Sequence, residues 1–154
     1  TASLIATSCE LGAITTTKKS EDRQATSSFG KNLGMAFQIK DDLFDLLGKE
    51  IDTGKNSGGD VKKNMVTLPL IFVKNNMPKF KYRELKKLLN KKRKSNAIIL
   101  KICDIVQDAG GIDYAKNKLD EYSDLARDSI SSYPDSDIKK SLLGLVEFNI
   151  SRVK

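Results

Sequence analysis

The run Phe37-Gln38-Ile39-Lys40-Asp41-Asp42-Leu43-Phe44-Asp45 holds three carboxylates and an amide at helical spacing. Side chains three and four apart are neighbours on a helix surface. Gln38, Asp41, Asp42 and Asp45 fall on such a stripe, and Phe37, Ile39, Leu43, Phe44 and Leu47 give the same segment an apolar body. Like charges at this spacing cost a helix roughly 0.2–0.5 kcal/mol per pair. The stripe also lies just before Gly48, where a helix C-terminus disfavours anions. A divalent cation reverses the sign of both effects. Mg²⁺ is the natural candidate, because it takes oxygen ligands, keeps several waters and binds through one or two carboxylates plus substrate phosphates. The plain alternative is that these acids are simply solvated.

The elements that must carry the stripe all read as helix. Ala2, Ile5, Ala6, Cys9 and Ala13 form an apolar stripe that predicts a helix over 2–17. Ser20, with Glu21 and Asp22 in the following turn, predicts the start of a long helix that runs to Leu47. Gly30 and Gly34 sit four apart inside it, which predicts a close approach by a neighbouring helix. A glycine-rich connection over 48–64 carries Gly48, Gly54, Gly58 and Gly59. A connection of that length without its own structure is expected to bind something or to move. It is expected to order when Mg²⁺ and a diphosphate bind.

Thr67-Leu68-Pro69 opens a short apolar helix that stops at Asn75 to Pro78. Further helices are predicted at 81–92, 96–108, 112–132 and 137–152, with a turn at Gly110-Gly111. No alternating strand pattern of useful length occurs. The expected architecture is one all-α domain, a helical bundle spanning 1–154.

Composition narrows the function. The chain has 154 residues, no histidine and two cysteines, Cys9 and Cys103. Zinc sites and cysteine–histidine nucleophile pairs are thereby set aside. Both cysteines fall in helical patterns and read as reduced thiols, which points to a cytoplasmic location. No apolar run is long enough to cross a membrane, and no secretory leader is visible. The chain opens at Thr1 in the middle of a helical pattern, which predicts that residues upstream are missing.

The net charge of +7 invites a nucleic-acid reading, but its distribution opposes one. Residues 79–94 hold nine of the 27 basic residues and one of the 20 acidic ones, which leaves 18 basic against 19 acidic elsewhere. The basicity belongs to one amphipathic segment with Tyr82, Leu85, Leu88 and Leu89 at helical spacing. A solvated face is the expected reading, with an anionic membrane or an acidic partner as the alternatives.

Three signals stand in order: Phe37-Gln38 with Asp41-Asp42-Leu43-Phe44-Asp45, a DDxxD motif; Gly54-Lys55 leading to Gly58 and Asp60; and Thr67-Leu68-Pro69. Together they resemble the C-terminal half of the trans-type polyprenyl diphosphate synthases, which include farnesyl, geranylgeranyl, heptaprenyl and octaprenyl diphosphate synthases. The resemblance covers essentially the whole chain. Thr1-Ala2-Ser3-Leu4 resembles the family's Lys-Thr-Ala segment without its lysine. Gly110-Gly111-Ile112 with Tyr114-Ala115 resembles its later Gly-Gly turn, and Arg152 and Lys154 its basic tail.

The resemblance implies an isoprenoid-synthase-type fold and a prenyltransferase. An allylic diphosphate would be ionised with Mg²⁺, and isopentenyl diphosphate would attack the cation. It implies Asp41 as a direct Mg²⁺ ligand, with Asp42 and Asp45 acting more through metal-bound water. Lys55 would contact the allylic diphosphate. Gln38 and the Thr1 hydroxyl would face the carbocation. Phe37 and Phe44 would line or support a prenyl pocket, unless they are ordinary core aromatics. Family members are usually homodimers.

Two departures stand out. Many members carry a second lysine two residues before Thr-Leu-Pro, where this chain has Met65, a weak tilt toward a long product. Lys62 or Lys63 is a partial substitute at best. The family's other Asp-rich motif, with its arginines, has no counterpart here, so this polypeptide alone is expected to be inactive. The competing readings are a terpene cyclase or squalene-type enzyme and a noncatalytic partner subunit.

Overall fold

The computed structural model describes residues 1–47, 59–63 and 65–152. Among these it contains eight helices and no strand, as the sequence predicts. In chain order they are α1 (Ala2–Ile14), α2 (Ser20–Leu47), α3 (Gly59–Lys62), α4 (Leu68–Asn76), α5 (Lys79–Leu89), α6 (Asn96–Asp108), α7 (Gly111–Ser129) and α8 (Asp137–Ser151). Gly48, Gly54, Lys55, Gly58 and Lys154 lie outside the described residues, as does most of the glycine-rich connection. The chain divides into two compact units, Thr1–Lys40 with Lys118–Val153, and Asp41–Asn117.

In the first unit α1 lies against the N-terminal part of α2. Gly30 and Gly34 make this possible. A Cβ built on Gly34 would stand 2.6 Å from the Cα of Ala2, and one on Gly30 would stand 2.8 Å from both the Cys9 Sγ and the Ile5 carbonyl. At Gly34 the obstructing atom is backbone, so α1 itself would have to move. Gly34→Ala is therefore expected to destabilise the fold by about 1–2 kcal/mol, the cost of overpacking less the helix-propensity gain of alanine. A lowered urea midpoint with an unchanged m-value checks this.

The core of this unit is Phe29, Ala126, Ile130 and Val146, with Leu33, Tyr133, Leu142 and Leu143 packed around it. The Tyr133 hydroxyl lies 3.2 Å from the Asp22 carbonyl oxygen. Burial, with Asp22 beside it, pushes that phenol above its ordinary pKa. The start of α8 is fixed by Ser136, whose hydroxyl accepts a hydrogen bond from the Lys139 amide at 3.1 Å.

α1 stops at Ile14, three residues short of the expected end. The threonines that follow bond back onto the helix: Thr15 Oγ1 donates to the Gly12 carbonyl at 2.7 Å and Thr16 Oγ1 to that of Ala13 at 3.1 Å. Such local side-chain bonds compete with continued helix. Thr17 is instead held by Asp22, its hydroxyl donating to Oδ2 at 2.9 Å.

In the second unit α4 and α5 both pack on α6. The buried residues are Pro69, Leu70 and Val73 of α4, Leu85 of α5, and Ile99, Ile102 and Val106 of α6. α6 spans the predicted residues. α5 covers Lys79–Leu89 rather than 81–92. Pro78 supplies its N-cap with φ −53°, so the helix begins at once, and it ends when the apolar spacing runs out at Leu89. α7 begins at Gly111 because Gly110 takes φ +76°, a turn conformation that glycine adopts without strain. The rings of Phe72 and Tyr114 stack beside this turn at 4.4 Å.

Both cysteines are free and half-buried. Burial, with the Asp45 and Asp104 charges, pushes the Cys103 thiol up to about 11. Burial likewise raises Cys9.

Candidate functional site

The last third of α2 carries the motif, with Gln38 in the first unit and Asp41, Asp42 and Asp45 in the second. In the first unit, Thr1 Oγ1 donates to Gln38 Oε1 at 3.2 Å, which brings together two residues 37 positions apart. Phe37 is half-buried beneath Arg152, whose guanidinium carbon lies 4.1 Å from the ring centroid. Arg152 Nη2 also donates to the Phe37 carbonyl at 3.2 Å. A guanidinium over a ring face is attractive in itself, more so when shielded from water.

Lys40 belongs to the same tie. Its Nζ donates to the Ile150 carbonyl at 2.6 Å, near the end of α8, where a helix leaves carbonyls without intrahelical partners. Burial, then the Arg152 charge, lowers the pKa of Lys40, and Asp120 opposes them. The motif helix is thus bound at two successive points to the last turn of α8. Sequence reasoning read Arg152 only as a tail and passed over Lys40. The one available signal was a lysine inside an otherwise acidic and apolar motif.

In the second unit, Asp42 Oδ2 accepts the Leu68 amide at 3.0 Å and Asp45 Oδ2 accepts the Asp60 amide at 3.1 Å. Leu68 opens α4 and Asp60 lies in the first turn of α3. Both amides are donors that a helix cannot satisfy within itself. Asp42 serves as the cap that Thr67 does not provide. Thr67 occupies the N-cap position with no side-chain bond, and its buried hydroxyl has no hydrogen-bond partner among the described residues. A carboxylate at this end also meets the positive pole of α4. Asp45 sits so close to α3 that a Cβ on Gly59 would lie 3.3 Å from its Oδ1.

The three aspartates are half-buried. Among the described residues, no three Asp, Glu, Cys or His side chains gather into a group that could hold an ion alone. Mg²⁺ is ordinarily held by one or two carboxylates together with phosphate oxygens and water, and the carboxylates of Asp41, Asp42 and Asp45 are donors of that type. Lys55 lies outside the described residues; Lys62 is half-buried, and Met65 is 52% exposed. Among the described residues, no helix is long and apolar enough to cross a membrane.

Among the described residues the protein is all-α, and the acidic end of α2 is bonded to the segments that follow it. The polyprenyl synthetase family model matches residues 1–106, and the chain belongs to that family. It is 32% identical, over its whole length, to 32% of the probable mitochondrial hexaprenyl pyrophosphate synthase of Neurospora crassa. It is similar to the crystal structure of geranylgeranyl pyrophosphate synthetase from Pyrococcus horikoshii, with a TM-score of 0.92 at 29% identity, covering 99% of this chain and 46% of that one. It is also similar to geranylgeranyl pyrophosphate synthase from Corynebacterium glutamicum, solved with calcium and isoprenyl diphosphate. There the TM-score is 0.82 at 30% identity, covering 99% of this chain and 47% of that one. The chain spans about a third to a half of the length of the curated relatives it matches.

Proposed function

We propose that this chain is the portion of a polyprenyl diphosphate synthase that helps to ionise an allylic diphosphate, and that Mg²⁺ is the ion it uses. The observation that carries this reading is the anchoring of Asp42 and Asp45 to the amides of Leu68 and Asp60. A helix end crowded with acids is held rigid there, as a charged substrate complex requires. Membership of the polyprenyl synthetase family and the calcium–isoprenyl diphosphate complex of the Corynebacterium glutamicum relative support it.

In this proposal Asp41 would ligate the ion and Asp42 and Asp45 would act more through metal-bound water, while Asp42 and Asp45 bond the two amides. Lys55 contacts the allylic diphosphate as a point charge. When bound, the ion would supply neutralisation of the negative charge that builds on the departing diphosphate. The allylic C–O bond breaks with its electron pair leaving on oxygen, the double bond of isopentenyl diphosphate attacks the cation, and a proton is lost to give an elongated allylic product. Gln38 Oε1 and the Thr1 hydroxyl offer oxygen dipoles to the cation. A neutral amide and an un-ionised hydroxyl are both weak nucleophiles, so neither oxygen would be readily alkylated. Phe37, pinned by Arg152, offers an apolar wall for the prenyl chain.

The same proposal holds that residues 1–154 act as one part of a larger catalytic domain and that the protein works as a homodimer. Exposed apolar side chains on α1 and α8 support further covering: Leu4 is 72% exposed, Ile138 75% and Phe148 65%. Two free thiols favour a reducing compartment such as the cytoplasm, while the Neurospora crassa relative is named as mitochondrial.

The test is to incubate the full-length protein with Mg²⁺, an allylic diphosphate and labelled isopentenyl diphosphate. A linear prenyl diphosphate is expected. Release of a hydrocarbon would replace this reading with a cyclase. Failure to bind a Mg²⁺–diphosphate would replace it with a noncatalytic subunit.

A further inference from the structure

We infer that the face of α5, with the basic turn after it, is a docking surface for an anionic lipid bilayer. The charge of the chain is segregated: 79–94 carries a net +8 and everything else a net −1. α5 buries Leu85 and half-buries Tyr82, Leu88 and Leu89, so its orientation on the unit is fixed. The opposite stripe is Phe80, Arg83 and Lys87, at i, i+3 and i+7, and all three are exposed. Arg83, Lys86, Lys87, Lys91, Lys92 and Arg93 are exposed and make no ion pair among the described residues.

Phe80 is 67% exposed, next to Arg83 and Glu84 on the helix surface, at the rim of a groove that Lys81, Glu84, Ile105 and Asp108 also line. The groove leaves most of the ring uncovered. A ring flanked by cations is what a membrane interface accepts, the ring among acyl chains and the cations at anionic headgroups. A duplex would require a second basic element to follow its backbone, and the remainder of the chain is slightly acidic. An acidic protein partner would leave Phe80 in need of a complementary apolar pocket, whereas a bilayer supplies one at any point.

The test is flotation of the full-length protein with phosphatidylcholine vesicles, with and without phosphatidylserine. Binding is expected only to the anionic vesicles, and is expected to fall steeply as salt rises. Combined Arg83→Gln, Lys86→Gln and Lys87→Gln is expected to lower partitioning roughly 100-fold, from the electrostatic attraction of each cation to the surface. Phe80→Ala should weaken binding several-fold at every salt concentration. Circular dichroism of both variants should match the parent, because all four side chains are exposed. Equal binding to neutral vesicles, or none to anionic ones, overturns the inference. So does tighter binding to duplex DNA or to polyglutamate at the same ionic strength.

Discussion

Asp41→Ala in the full-length protein is expected to lower kcat for prenyl transfer about 10³-fold, the scale at which one electrostatic contact to a departing charge is lost. The charge that matters appears only as the C–O bond breaks, so the loss should fall on kcat more than on KM. Asp41→Asn should be nearly as damaging, since it keeps an oxygen but removes the negative charge that favours a divalent ion. Asp41→Glu keeps the charge at the wrong reach and should fall between. Steady-state incorporation of labelled isopentenyl diphosphate, repeated across a Mg²⁺ titration, measures all three. A change smaller than tenfold for Asp41→Ala would remove this residue from the metal's ligands.

Asp42 is expected to behave differently, because the structure gives it a second duty. Its carboxylate bonds the first amide of α4 while the Thr67 side chain leaves that end uncapped. Asp42→Ala should therefore cost about 2–3 kcal/mol of unfolding free energy, the range for a charged hydrogen bond lost together with its helix-dipole contact. Activity should fall as well. Asp42→Asn retains an oxygen able to accept the Leu68 amide and should recover at least half of the lost stability. Its activity should stay low, because it no longer contributes charge to the ion. Urea unfolding beside turnover separates the two duties. If Asp42→Asn restores activity along with stability, Asp42 is only a cap.

The helices were the most legible part of the chain. Thr67-Leu68-Pro69 marks the start of α4 because proline fits a first turn, and α6 falls on its predicted residues. Gly30 and Gly34 announced a close helix approach by their spacing, and Ala2, Ile5 and Cys9 fill the space. Boundaries failed where side chains compete with the backbone, as at Thr15 and Thr16, or where a proline starts a helix early, as at Pro78.

The candidate site was legible by residue type, and the hydrogen bonds of its side chains were less so. Gln38, Asp41, Asp42 and Asp45 could be picked out because amides and acids at that spacing are unusual. The groups that hold Asp42 and Asp45 are main-chain amides, which every residue carries and no pattern advertises. The ties from α8 to Phe37 and Lys40 bridge 115 and 110 residues, a separation at which helical periodicity carries no information. Lys55 remains a proposal drawn from the sequence.

The tether from Lys40 and Phe37 to the last turn of α8 bears on how this protein is handled at the bench. A label attached at Arg152 would displace the guanidinium that pins Phe37, only a few positions before the first aspartate. Labels belong on an exposed interior turn such as Lys91 to Arg93 when catalysis is to be assayed, and must be moved elsewhere when vesicle attachment is the question.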